Sequence, residues 1–172
     1  YGEQWISQYS HSGEFIQSFG GRGDQPEHLK NAHGICLDTR NQGHPSLLVS
    51  AREENAFKRY SLSGRYMETI PLPGAFVCRP VIHGDYLYAA VLKSRAYGDD
   101  PSGFVTILDK QNKVVSNLAG STPTYSKGVP DEMYQTLKVF IYPHDVCVDD
   151  DENMYVAQWN SGHVYPYKLN RI

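Results

Sequence analysis

The sequence lacks clustered positive charge, long apolar runs and a full set of paired cysteines, and each absence excludes a class of protein. Lys plus Arg number 16 against 19 Asp plus Glu, for a net charge of −3, and no Lys/Arg run exceeds two residues. Neutralising phosphates needs a surplus of clustered cations, so no nucleic-acid partner is expected. No apolar stretch approaches the roughly 18 residues that cross a bilayer, so no membrane span is expected. Cys36, Cys78 and Cys147 are an odd number, which leaves at least one unpaired within the chain. The chain starts at Tyr1 with neither Met nor a signal peptide, so it is expected to be less than a whole gene product, and the N-terminus does not report a compartment.

A length of 172 residues is usual for one domain, and a hydrophobic content of 40 % suffices for a packed core. The 13 Tyr, 15 Gly and 10 Pro favour short strands and tight turns over long helices. Helical periodicity is weak. Its best candidate is Asp131 to Lys138, where Met133, Leu137 and Val139 would share one face, within an insertion from Ser121 to Lys138.

Repeats organise the chain. Tyr9-Ser10-His11-Ser12-Gly13-Glu14-Phe15-Ile16 aligns with Tyr60-Ser61-Leu62-Ser63-Gly64-Arg65-Tyr66-Met67, and Leu108 to Val115 is a degenerate third copy. Each copy reads as strand, polar turn, strand, the pattern of a β-hairpin. A second element, His33-Gly34-Ile35-Cys36-Leu37-Asp38, recurs as His144-Asp145-Val146-Cys147-Val148-Asp149. A strand follows each (Leu47 to Ser50, Met154 to Ala157), then a polar turn and a further strand. A four-stranded unit of about 40–50 residues is the pattern of a propeller blade. The expected fold is therefore all-β, a β-propeller in one domain with about twelve strands in about three blades. Rings close with about 4–8 blades, so residues 1–172 should be part of a longer propeller or complete the ring with a second chain.

Candidate chemistry lies at the strand starts. His33 and His144 open equivalent inner strands that look buried on both faces, so their imidazoles should face one axis and suit zinc. Asp145 offers an oxygen to calcium. The alternative is that both His side chains cap strand ends by hydrogen bonding. Counting eight residues back from Tyr9, Tyr60 and Tyr167 places Tyr1, Arg52 and Trp159 in equivalent turns. Arg52 either pairs on the surface with Glu53 and Glu54 or clamps a substrate carboxylate. Cys36 and Cys147 read as buried small hydrophobes. Gly20-Gly21-Arg22-Gly23 lacks the ending of a phosphate loop and reads as a turn, and no Gly-x-Ser-x-Gly elbow is present.

Several motifs together resemble the NHL-repeat six-bladed propellers, and within them the peptidyl-α-hydroxyglycine α-amidating lyases. They are Tyr1-Gly2-Glu3, Ala32-His33-Gly34, Ser50-Ala51-Arg52-Glu53-Glu54-Asn55, Tyr97 to Val105 and Pro143-His144-Asp145. The resemblance implies the C-terminal half of such a ring, with a small-molecule or peptide substrate in the central channel and an extracellular, periplasmic or lumenal setting. It implies zinc on His33 and His144, calcium on Asp145, a catalytic Tyr1 and a substrate-facing Arg52. It would place a third zinc-binding His upstream of Tyr1, and it departs from the family at Ala51, where an Asp is usual. The implied reaction cleaves a peptidyl-α-hydroxyglycine to a peptide amide and glyoxylate. A non-catalytic propeller that presents Tyr-rich loops to a protein or glycan is the alternative.

Overall fold

The computed structural model describes residues 3–94, 102–163 and the backbone of 167–169. Tyr1 and most of the Tyr97 to Val105 stretch lie outside the described residues. The described chain is all-β and forms several small antiparallel sheets, none closed on itself. A first hairpin is made by β1 (Trp5–Tyr9) and β2 (Phe15–Gly20). A four-stranded meander follows in chain order, from β3 (Ala32–Asp38) through β4 (Ser46–Ala51) and β5 (Ala56–Ser61) to β6 (Tyr66–Pro71). The third sheet comprises β7 (Ala75–Val77), β8 (Val81–His83), β9 (Tyr86–Ser94), β10 (Phe104–Leu108) and β11 (Val114–Leu118). After a small hairpin of β12 (Tyr125–Ser126) and β13 (Val129–Pro130), β14 (Pro143–Val148), β15 (Met154–Gln158) and β16 (Tyr167–Leu169) form the last sheet. Sixteen strands are thus seen among the described residues where about twelve were expected for the whole chain.

The hairpin repeat has a common physical cause. Ser10 and Ser61 each accept, on Oγ, the backbone N–H four residues on, at 3.0 and 3.1 Å. Asp109 and Asp149 do the same with Oδ1 toward Lys113 and Asn153. In each turn the third residue after the acceptor takes a left-handed backbone: Gly13, Gly64, Asn112 and Glu152. A short polar side chain that bonds the local backbone stabilises such a turn. The fourth copy, at Asp149, joins β14 to β15 and was not recognised in the sequence.

The sheets stack face to face in chain order, and the two-residue period of the strands sends neighbouring side chains to opposite cores. In β4 and β5, Val49 and Tyr60 pack toward Phe19 and Leu29, while Leu48 and Phe57 pack toward the third sheet. In β9 and β10, Leu87, Ala89 and Phe104 join that same core, while Ala90 and Val105 turn toward Val146 and Val156 of the last sheet.

Two expectations are corrected here. The inner strands are not buried on both faces: Ile35 and Leu37 of β3 are 40 % and 51 % exposed, and Cys147 of β14 is exposed. The two-stranded β1–β2 sheet packs on Val49 and Tyr60 of β4 and β5, and of β3 only Ala32 joins that cluster. Nor is Asp131 to Lys138 a helix. Met133 is buried, its N–H bonded to the Pro73 carbonyl, and Leu137 is 61 % exposed. The buried Gln135 amide bonds the carbonyls of Gly103 and Phe140, long-range and local ties that a helix over this segment would not make.

One buried ionic network ties the second sheet to the third. Asp38, at the end of β3, receives Arg40 through Nε at 2.9 Å and Nη2 at 2.8 Å, and Arg59 through Nη1 at 2.9 Å. Arg40 also donates to the Asp109 carbonyl and to Asn112 Oδ1, both in the β10–β11 turn. Burial alone would push the Asp38 carboxyl up; hydrogen bonds from Arg40 and Arg59 outweigh it and hold it at about 2.

Candidate metal centre

The strands β3 and β14 begin in the same way. Asn31 and Tyr142, each two residues before a His, have positive φ, 57° and 48°. Their carbonyls accept the N–H of Arg52 and of Trp159, at 3.2 and 2.8 Å. The pairing register breaks at each His, between Ala32 and Ile35 and between Pro143 and Asp145. Irregularities of this kind re-aim a side chain out of the ladder. The equivalence of Arg52 with Trp159, read from repeat spacing, is therefore present in the backbone.

The two imidazoles meet. The His33 and His144 rings stand 4.8 Å apart, centroid to centroid, with their planes at 81°. Close approach of the elements makes this contact. A methyl group on Gly34 would come within 2.6 Å of Arg79 Cα, so only glycine lets β3 run so near residue 79.

Arg52 stands beside them, 8 % exposed, at the start of a single 3₁₀ turn, Arg52–Glu54. Its Nη2 donates to Cys78 Sγ at 3.0 Å and its Nε to the Val77 carbonyl at 3.5 Å. The surface-pair reading with Glu53 and Glu54 does not hold. Glu53 accepts from the Asn31 amide, while Glu54 accepts the Lys30 N–H and pairs with Lys58 at 2.7 Å. Among the described residues no carboxylate pairs with the Arg52 guanidinium.

Cys78 is the residue that sequence reasoning missed. It follows β7, is fully buried, and its thiol lies with His33 and His144 so that one ligand atom from each falls within 4.8 Å of the others. The sole available signal was weak: a third cysteine outside both repeats. Around tetrahedral zinc, nitrogen and sulfur ligands stand roughly 3.3–3.7 Å apart, so a closure of about 1 Å brings this set to bonding geometry. Two imidazoles and a thiol are also chemically suited to that ion.

Asp145 is placed differently. Its Oδ2 accepts from Arg79 Nη2 at 3.1 Å and Nε at 3.3 Å, and its Oδ1 accepts the Val146 N–H. Calcium takes six to eight oxygens. Asp145 offers one carboxylate toward such a shell, and Arg79 holds that carboxylate in place.

Electrostatics favours neutral ligands. Burial, then the Arg52 charge, then His144 push His33 down to about 4. Burial and Arg52 also lower His144, against the opposing pull of Asp145. Both rings therefore carry the unprotonated nitrogen that coordinates a metal at neutral pH. Burial raises the Cys78 thiol to about 11 despite Arg52.

These values give the metal-free protein a two-step acid response. The unfolded chain binds a proton at His33 near 6.5 and the folded chain only near 4, so stability is complete above about 6.5 and falls toward 4. Asp38 adds a second fall, from its unfolded value of about 3.8 toward 2. Thermal midpoints measured at successive pH values should show both steps, with His33→Gln shrinking the first and leaving the second; a His33→Gln profile identical to wild type contradicts this assignment.

Searches with the sequence find no matching family model and no matching curated protein.

Proposed function

We propose that the chain is about three blades of an NHL-type propeller whose inner strands bring together a zinc centre on His33 and His144 for a lyase reaction on a carboxylate-bearing substrate. One observation carries the reading: two neutral imidazoles in contact beside a buried guanidinium that has no carboxylate partner among the described residues. A buried unpaired charge is costly, and a substrate anion would relieve the cost. The antiparallel β3–β6 meander, stacked between other sheets, supports the blade reading. So does the bare apolar side of β3, which further blades or a second chain would cover on ring closure.

The reaction fitting this arrangement is the one the resemblance implies, cleavage of a peptidyl-α-hydroxyglycine to a peptide amide and glyoxylate. Zinc, when bound, supplies Lewis acidity toward the substrate hydroxyl. Arg52 orients the substrate through its carboxylate, by a two-pronged bond that Lys does not reproduce. A base removes the hydroxyl proton, the carbon–nitrogen bond breaks with its electron pair going to nitrogen, and nitrogen takes a proton. Tyr1, to which the resemblance gives the role of base, lies outside the described residues.

The test is glyoxylate release from an α-hydroxyglycine peptide by the full-length zinc-loaded protein. Turnover is expected, and Arg52→Lys should lower kcat/KM by roughly 10²-fold. Absence of glyoxylate with the loaded protein would overturn the lyase reading. A binding role is favoured by a different observation, the exposed aromatics Trp5, Tyr9, Phe15 and Trp159. It predicts partner binding that survives His33→Ala and His144→Ala.

A further inference from the structure

We infer that Cys78 is a protein ligand of the centre beside His33 and His144, its thiolate joining the two imidazoles. This rests on the zinc reading above and adds a ligand that the resemblance does not supply. Each of the three groups comes from a different sheet: His33 from β3, Cys78 from the residue after β7, and His144 from β14. Among the described residues this is the sole set of three or more His, Cys, Asp or Glu side chains gathered tightly enough to hold an ion.

The surroundings of the sulfur agree. Cys78 N–H is tied to the Ala90 carbonyl at 2.8 Å, and the Ser50 hydroxyl donates to the Cys78 carbonyl. The backbone is thus fixed from two strands and presents the thiol toward the rings. Arg52 Nη2, at 3.0 Å, is placed as an outer partner to a metal-bound thiolate, the arrangement that orients a ligand and tunes its basicity. On metal binding the thiol proton leaves to solvent and a sulfur lone pair goes to the ion.

Charge then selects the substrate. A divalent ion, one thiolate and the Arg52 guanidinium sum to two positive charges, an environment suited to an anion. Cys36, packed against the core between the second and third sheets, and Cys147, exposed on β14, belong to no such cluster.

Cobalt(II) reports the sulfur directly. Full-length protein loaded with cobalt should show a thiolate-to-metal charge-transfer band in the near ultraviolet together with visible d–d bands. Cys78→Ser should lose the ultraviolet band and keep d–d bands, whereas Cys147→Ser should keep both. Visible bands without the ultraviolet band in the wild type would overturn Cys78 ligation while leaving a His-based centre standing. Failure of the wild type to bind cobalt or zinc at all would overturn both readings. If Cys78→Ser does not fold, as judged by circular dichroism, zinc-edge X-ray absorption on the wild type decides. One sulfur in the first shell at about 2.3 Å supports the assignment, and a shell of nitrogen and oxygen alone overturns it.

Discussion

Asp38→Ala is expected to destabilise the protein by about 3–5 kcal/mol, because it leaves two guanidinium groups without the carboxylate they share. The side chains of Asp38, Arg40 and Arg59 are only 4 %, 2 % and 13 % exposed. Arg59 keeps Glu68 at 2.7 Å, but Arg40 has no second carboxylate and would retain only the Asp109 carbonyl and Asn112. The network also bridges two sheets, so its loss loosens the docking of the β10–β11 turn on the second sheet. Chemical denaturation measures the effect. Lys110→Ala is the internal contrast, since its pair with Asp85 is 52 % and 65 % exposed and such pairs contribute about 0–1 kcal/mol. A loss at Asp38 no larger than at Lys110 would contradict the account.

His144→Ala is expected to lower zinc affinity by more than the 10–100-fold typical of losing an outer-shell partner, because a direct ligand is removed. The same holds for His33→Ala. Competition against a chromophoric chelator reads the change, and far-ultraviolet circular dichroism should stay that of the wild type. Neither ring belongs to the buried apolar clusters that hold the sheets together. Affinity unchanged in both variants would remove these side chains from the centre.

What could be read from the sequence follows from the range of each interaction. The all-β class was legible because its causes are local: alternation along strands, and turns such as Ser10–Gly13 and Ser61–Gly64 whose side chains bond their own backbone. The likeness of the His33 and His144 elements was legible for the same reason, and with it the approach of their two imidazoles. Cys78 was not legible, since nothing near it in sequence announces a neighbour 45 residues before and another 66 after; only the stacking of three sheets brings them together. The burial of Arg52 escaped for a related reason. Local reasoning paired it with Glu53 and Glu54, whereas the 3₁₀ turn directs those carboxylates to Asn31, Lys30 and Lys58. The helix expected over Asp131 to Lys138 failed because backbone bonds to Pro73 and side-chain bonds from Gln135, both long-range, outweigh a weak local preference.

The central claim, that the meeting of β3, β14 and the residue after β7 forms a metal centre, is tested most directly by elemental analysis of the full-length protein after zinc loading and exhaustive dialysis. The account predicts about one zinc per chain in the wild type and essentially none in a His33→Ala, His144→Ala double variant that remains folded. Zinc content equal in the two proteins, or absent from the wild type, would contradict it.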